Sequence, residues 1–351
     1  MPIEFARFEM SAPDDFGALA PALQLLGGDS ITRLGLLVKV EGTATINDFS
    51  RTLALRAFDD QISSLHLSGL RQLQLIVSTG CEGLITPGGM IFAERPAKGR
   101  FEGLRLGMAV SDNISSPTLI TPEHVNIAAQ TTRAAMRDAG LAVDDVALVL
   151  MKSPVLTHAM AVGLPQAQRA RANSTSLSRG VAALGIGVAL GEINARDICD
   201  EAIMGRPDLY SQRGMVFSGT ETQRCEVIVL GNDPSFPKVL RSGIVQDVID
   251  FEGFASILSG SADASATKAR DLIQHKKVVA TFLKAGAPSS GRIRGQRTTI
   301  FSSELDSDKH LRAAASGVMG ALLGDTRSFI SGGAEHQAPE GGCVFAALVE
   351  H

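Results

Sequence analysis

The chain has 351 residues, 44% hydrophobic and 20% charged, with a net charge of −4, a globular composition long enough for two or three domains. That charge gives no electrostatic case for nucleic acid, and the longest apolar stretch, Gly180 to Gly191, is glycine-rich and too short to span a membrane. Four dispersed cysteines (Cys81, Cys199, Cys225, Cys343) form no C-x-x-C pair, so neither a disulfide framework nor a zinc site is expected; free thiols and an N-terminus without an apolar signal core suit the cytoplasm.

The first unit is expected over 1–98. An apolar strand, Gly35-Leu-Leu-Val, ends at Lys39. Asn47 or Asp48 is the expected cap of a helix that carries Phe49, Leu53, Leu55 and Phe58, with Arg51 near its first turn. A second strand over 73–78 ends at Ser78-Thr79-Gly80 and is followed by the turn Thr86-Pro-Gly-Gly89. The segment 97–103 reads as a linker.

The second unit is expected over 104–236. Thr121-Pro122-Glu123 signals a helix start, Val125, Ala128, Ala129, Thr132 and Met136 share one face, and Gly140 stops the helix. The strand 146–151 delivers Lys152, and Pro154 should end it. A helix over 179–193 is apolar nearly all round and so should be buried, with Arg179 at its start. A strand over 215–217 leads to Ser218-Gly219, and another over 226–230 closes the unit.

The third unit is expected over 237–351. A helix around 262–275 precedes a strand that ends at Lys284. A helix over 308–323 carries Arg312 and ends at Gly324; the strand 328–330 then gives Ser331-Gly332, and the last strand is 343–349. Each unit is therefore mixed, α/β or α+β. The lysines lie 113 and 132 residues apart, a domain-sized repeat and not a solenoid.

Lys, then Arg, then Ser-Gly, in the same order three times, points to three related units that bring nine polar side chains to one centre. One lysine at a strand end is usually a charge reaching solvent; three with the same partners are not. At the edge of a dry pocket a lysine drops from about 10.4 towards neutrality and becomes a base for a serine hydroxyl. A glycine after the serine (Gly219, Gly332) leaves the backbone open to a developing oxyanion. The guanidinium forks of Arg51, Arg179 and Arg312 suit a small ring with several oxo groups. The remaining motifs are weaker. Gly185-Ile-Gly187-Val-Ala-Leu-Gly191 has the wrong spacing for a dinucleotide loop, and Arg292-Ile-Arg294-Gly-Gln-Arg297 reads as a solvated loop. The loop carrying His336 could offer carbonyls to a hard cation or could be a tight turn.

The stretches Ile46-Asn-Asp-Phe-Ser-Arg51, Ser78-Thr-Gly-Cys-Glu-Gly83, Lys152-Ser-Pro-Val-Leu-Thr157, Ser178-Arg-Gly-Val-Ala-Ala-Leu-Gly185 and, most specifically, Ile330-Ser-Gly-Gly-Ala-Glu-His-Gln-Ala-Pro-Glu-Gly-Gly342 resemble the cyanuric acid hydrolase and barbiturase family of ring-opening amidohydrolases, over nearly the whole chain. The resemblance implies three similar domains around a pseudo-threefold axis with the active site at the centre. It implies a Ser-Lys pair that opens a cyclic ureide or imide, with Lys152 as base and Ser218 as nucleophile, and Lys39, Arg51, Ser78, Thr79, Arg179, Gly219, Lys284, Arg312, Ser331 and Gly332 holding the ring. Cyanuric acid would give carboxybiuret and then biuret. Arg179 favours that substrate, since barbiturase-like members tend to carry Asn there. The same resemblance implies a cytoplasmic homo-oligomer, a tetramer, and no cofactor for the chemistry. A structural Mg or Ca near the backbone of the Glu335–Gly342 loop is the family's pattern, but Gly286 replaces the expected glutamate.

One departure carries alternatives. The family's middle serine stands four residues before a glutamate, as Ser78 and Ser331 do; Phe217 holds that place here and Ser218 follows one position late. A one-residue shift turns a strand side chain to the other face. Either the loop is rearranged to present Ser218, or the usual nucleophile is missing. The chain could then be a hydrolase for a different cyclic imide or ureide, or a binding protein that keeps the pocket without the chemistry.

Overall fold

The computed structural model describes residues 3–96, 104–233, 238–263, 265–302 and 304–350. Both expected unit junctions, the 97–103 linker and the step from 236 to 237, lie outside the described residues.

The first sheet is built from β1 (Ile3–Glu9), β2 (Arg33–Val40), β3 (Gln72–Thr79) and β4 (Gly88–Glu94), with α1 (Leu19–Leu25) and α2 (Ser50–Ser64). The second uses β5 (Arg105–Val110), β6 (Val146–Pro154), β7 (Gly214–Gly219) and β8 (Glu226–Gly231), with α3 (Pro122–Ala139), α4 (Gln166–Ala172) and α5 (Thr175–Ala189). The third uses β9 (Lys238–Val245) and β10 (Val278–Ala285), then β13 (Phe329–Gly332) and β14 (Cys343–Glu350). A small hairpin, β11 (Arg292–Ile293) and β12 (Gln296–Arg297), stands apart; α6 (Phe251–Ser259), α7 (Ser265–Gln274) and α8 (Ser307–Leu323) complete the third unit.

All three sheets have one order: β1-β4-β2-β3, β5-β8-β6-β7 and β9-β14-β10-β13. In each, the lysine strand (β2, β6, β10) pairs in parallel with the serine strand (β3, β7, β13). Parallel neighbours need a crossover, normally a helix, and α2, α5 and α8 lie between those strands in the chain. A crossover helix starts where the first strand ends. The carboxyl ends of both parallel strands and the helix N-terminus therefore gather at one end of each unit.

Each sheet buries one face under its own helices and the other against the other sheets. Leu36 and Val38 pack beneath α2, whereas Leu37 joins Leu150, Phe282, Phe329 and Met215 in a core shared by all three sheets. Burial on both faces explains why these strands read as continuous apolar runs. The chain thus has three similar mixed α/β units around a pseudo-threefold axis.

Several elements differ from expectation in detail. The helix expected around 262–275 is α7, and a helix that was not expected, α6, precedes it and ends at Gly260 in the left-handed conformation (φ 68°). The helix carrying Arg179 starts earlier, at Thr175, with the Ser174 side chain accepting from the Leu177 amide. Pro154 is the last residue of its strand, as expected, and closes the ladder opposite Gly219. The Arg292–Arg297 cluster is the exposed β11–β12 hairpin, with Arg294 tied to Asp247 at 2.9 Å. Among the described residues no helix is long and apolar enough to cross a membrane, and the four cysteines are free thiols.

Candidate active site

Strand alternation fixes which way each site residue points. Lys39 shares a face with Leu37, Lys152 with Leu150, and Lys284 with Phe282, so all three lysines point to the shared centre. On the partner strands Ser78 follows Ile76, Phe217 follows Met215 and Ser331 follows Phe329, on that same face. The ladders register Lys39 with Ser78, Lys284 with Ser331, and Lys152 with Phe217.

Two lysine–serine pairs are formed. Lys39 Nζ donates to Ser78 Oγ at 3.2 Å and to the Thr79 carbonyl at 3.0 Å. Lys284 Nζ donates to Ser331 Oγ at 3.1 Å. The expected Lys152–Ser218 pair is not formed. Lys152 Nζ donates to the Val77 carbonyl at 2.8 Å and contacts the Glu221 carboxylate. Ser218 lies opposite Ser153, in the place that Thr79 and Gly332 hold in the other ladders. It follows Val216, on the face towards its own helices, and its Oγ donates to the Thr175 carbonyl at 3.1 Å. Gly219 corresponds in the same way to Gly80 and Gly333, not to Gly332.

The three arginines stand in the first two turns of their crossover helices, and each is clamped by a glutamate from another unit. Arg312 holds Glu82 at 2.6 and 2.8 Å, Arg179 holds Glu335 at 2.8 and 2.6 Å, and Arg51 holds Glu221 at 2.9 Å. The pairs run first unit to third, third to second and second to first, so they close a ring around the axis. Arg51 also reaches Thr79 Oγ1 at 3.0 Å, and Arg179 reaches Asp308 at 3.2 Å. Glu82, Glu221 and Glu335 each lie four residues after the centre-facing position of their strand. The sequence reading used that spacing to align the copies and gave the glutamates no role; the constant spacing was the signal for one.

Inside the ring is a cleft of about 280 Å³. Arg51, Ser78, Thr79, Arg179, Phe217, Ser218, Lys284, Arg312, Ser331 and Gly332 line it; Lys39, Lys152 and Gly219 do not. Phe217 is 3% exposed, packs edge-on against Phe329 at 5.4 Å, and sets its ring 4.9 Å from Lys284 Nζ.

Electrostatics follow from this burial. Lys39 is pushed down to about 7 by desolvation, helped by the Arg312 charge. Lys284 lies well below the ordinary amine range, again by desolvation first and then Arg179. Lys152 is lowered by burial too, but the adjacent Glu221 opposes the shift. Burial works against ionised Glu82, Glu221 and Glu335, yet their cationic partners outweigh it and hold all three below the usual carboxylate range. The site can therefore hold a neutral amine against a serine hydroxyl inside a frame of charged donors.

Several acceptors of the Glu335–Gly342 loop already have partners within the protein. Glu335 is held at both oxygens by Arg179, the Gly342 carbonyl accepts from the Gly286 amide, and the Gly333 carbonyl accepts from Gln337. A side chain at Gly286 would meet the Gly342 carbonyl, so the missing glutamate matches the local packing. Among the described residues no group of three or more His, Cys, Asp or Glu is placed to hold a metal. His336 (φ 54°) is buried and latches a neighbouring loop, its Nε2 accepting from the Met204 amide at 3.0 Å and its Nδ1 meeting the Leu209 carbonyl at 2.5 Å.

Comparison with known proteins identifies the family and the fold. The family described as amidohydrolase ring-opening protein matches residues 4–350. A cyanuric acid amidohydrolase of Pseudonocardia dioxanivorans is 35% identical, covering 97% of this chain and 96% of its own. One from Methylobacterium sp. (strain 4-46) is 33% identical, covering 98% and 96%. A cyclic amide hydrolase of Azorhizobium caulinodans is 31% identical, covering 99% and 100%. The crystal structure of a cyanuric acid hydrolase from A. caulinodans superposes with a TM-score of 0.85 at 29% identity, covering 100% of this chain and 99% of that one.

Proposed function

The chain belongs to the ring-opening amidohydrolase family and is a cyclic amide hydrolase, and on that premise we propose that it opens a cyclic ureide or imide by attack of a lysine-activated serine on a ring carbonyl. The observation that carries this reading is the central cleft itself. Ser78, Ser331, Lys284 and three arginines line one space of about 280 Å³, the size of a small ring and not of a polymer, with Lys39 hydrogen-bonded to Ser78. Cyanuric acid is the proposed substrate, with carboxybiuret and then biuret as products; the homologues bearing that name and Arg179 support it.

One observation favours a second ring. Phe217 puts a hydrocarbon face where the other two units present a hydroxyl, so a ring with one CH or CH2 edge, such as barbituric acid, loses nothing there. A substrate panel of cyanuric acid, barbituric acid, hydantoin, dihydrouracil and succinimide, followed by ultraviolet loss and product mass, tests both readings. Turnover of cyanuric acid supports the first, and turnover confined to rings with a hydrocarbon edge supports the second. Silence on every ring would sink the hydrolase reading.

The same proposal includes the division into units 1–98, 104–236 and 237–351, a tetrameric assembly and a cytoplasmic location. It includes no cofactor for the chemistry. Light scattering on the purified protein tests the assembly.

A further inference from the structure

Resting on the ring-opening reading, the remaining question is which serine attacks. The centre-facing stations opposite the three lysines hold Ser78, Phe217 and Ser331. The middle station has no hydroxyl, and its lysine is held by Glu221 and the Val77 carbonyl. The two intact pairs are not equivalent. Both Lys284 and Ser331 line the cleft, whereas Ser78 lines it and Lys39 does not. Among the described residues Lys284 Nζ makes one hydrogen bond, to Ser331 Oγ, whereas Lys39 Nζ is shared between Ser78 Oγ and the Thr79 carbonyl. The Phe217 ring covers Lys284 Nζ at 4.9 Å, so the residue that removes the middle hydroxyl also dries the third lysine. Gly332, next after Ser331, lines the cleft without a side chain between substrate and backbone.

We propose that Ser331 is the nucleophile of this chain, Lys284 its general base, and Phe217 the wall that keeps water from that lysine. Lys284 Nζ takes the Ser331 Oγ proton as the Oγ–C bond forms at a ring carbonyl. The ring C–N bond then breaks, and the leaving nitrogen takes the proton back from Lys284. Water attacks the acyl carbon and gives its proton through Lys284 to Ser331 Oγ, which leaves. The sum is addition of one water across one C–N bond. The charged groups around Lys284 are Arg179 on α5, Asp308 on α8, Glu335 on the loop after β13, and Lys39 on β2.

The test compares Ser331→Ala with Ser78→Ala on whichever ring the wild type opens. Ser331→Ala should lower kcat by about 10³-fold or more, while Ser78→Ala should chiefly raise KM. The reverse pattern overturns the assignment. Labelling with a fluorophosphonate, mapped by peptide mass, reads the nucleophile without any substrate. Label on Ser331 that disappears in Lys284→Met supports the proposal; label on Ser78 or Ser218, or none, overturns it. Failure of the substrate panel would instead strike the ring-opening reading, so the two failures are distinguishable.

Discussion

Lys152 stands directly opposite Phe217 in the parallel ladder of the second sheet, at the station where Lys39 meets Ser78 and Lys284 meets Ser331. One residue therefore breaks the chemical threefold symmetry of a frame whose backbone keeps it. The consequences for substrate, stability and pH can each be measured.

Phe217→Ser should restore a hydroxyl facing Lys152. The ring it removes is buried against Phe329, so stability should fall by about 3–5 kcal/mol, read as a lower urea midpoint. The added donor should also raise turnover of cyanuric acid relative to barbituric acid. An unchanged ratio would mean that position 217 does not face the substrate.

The glutamates of the ring should differ in weight according to burial. Their side chains are 5% (Glu221), 16% (Glu335) and 23% (Glu82) exposed. Removing one partner of a buried ion pair costs about 3–5 kcal/mol, and less as water screens the charge left behind. Glu221→Gln should therefore be the worst, since it takes a carboxylate from Lys152 and from Arg51 together, although Asp48 stays 3.9 Å from Arg51; Glu335→Gln follows, with Asp308 still beside Arg179, and Glu82→Gln is mildest. Chemical denaturation of the three variants gives the order, and equal losses would contradict the burial argument.

Activity should rise with pH. A lysine base works only when neutral, and burial lowers Lys284 from the ordinary amine range. The kcat/KM profile should climb and level off below the ordinary lysine value of about 10.4. A flat profile from about pH 6 to about pH 10 would contradict a lysine base.

Stability should carry a related signature from Lys39. Its pKa is about 7 when folded and about 10.4 when unfolded. Between those values the unfolded chain binds the extra proton, so stability rises with pH. Below the folded value both states are protonated, and the full cost of burying the charge is present. Subtracting the Tm–pH curve of Lys39→Met from that of the wild type should leave an upward slope from neutral to alkaline pH. A downward slope would mean that the lysine is held as an ammonium.

Gly333→Ala should damage the site without touching a reacting atom. Gly333 has φ 77°, and a Cβ there would lie 2.2 Å from Arg179 Nη2. The left-handed backbone alone costs an L-residue about 1–2 kcal/mol, and Arg179 would have to leave Glu335. A raised KM with a lowered Tm is expected, and wild-type values of both would show that Arg179 is free to move.

Much of this was legible in the chain. Apolar runs ending at Lys39, Lys152 and Lys284, each followed by a helix with an arginine and a strand ending in Ser-Gly, specify a lysine strand, a crossover and a serine strand. Periodicity and chain order are local properties, so the units could be read as repeats. The strands β1 and β9 were not read, because charged or polar residues interrupt their apolar residues, as in Lys238-Val-Leu-Arg241, and only pairing with a neighbour selects their conformation; β5, Arg105-Leu-Gly-Met-Ala-Val110, is apolar but short and was not read either. The sequence also carried the one-residue offset at Phe217. The direction of Ser218 was a matter of register, and only the ladder turned it towards Thr175 and away from Lys152. The ring of Arg51–Glu221, Arg179–Glu335 and Arg312–Glu82 joins residues 170, 156 and 230 positions apart. No local signal pairs such residues; packing three sheets around one axis does, by burying each charge where only its opposite can satisfy it.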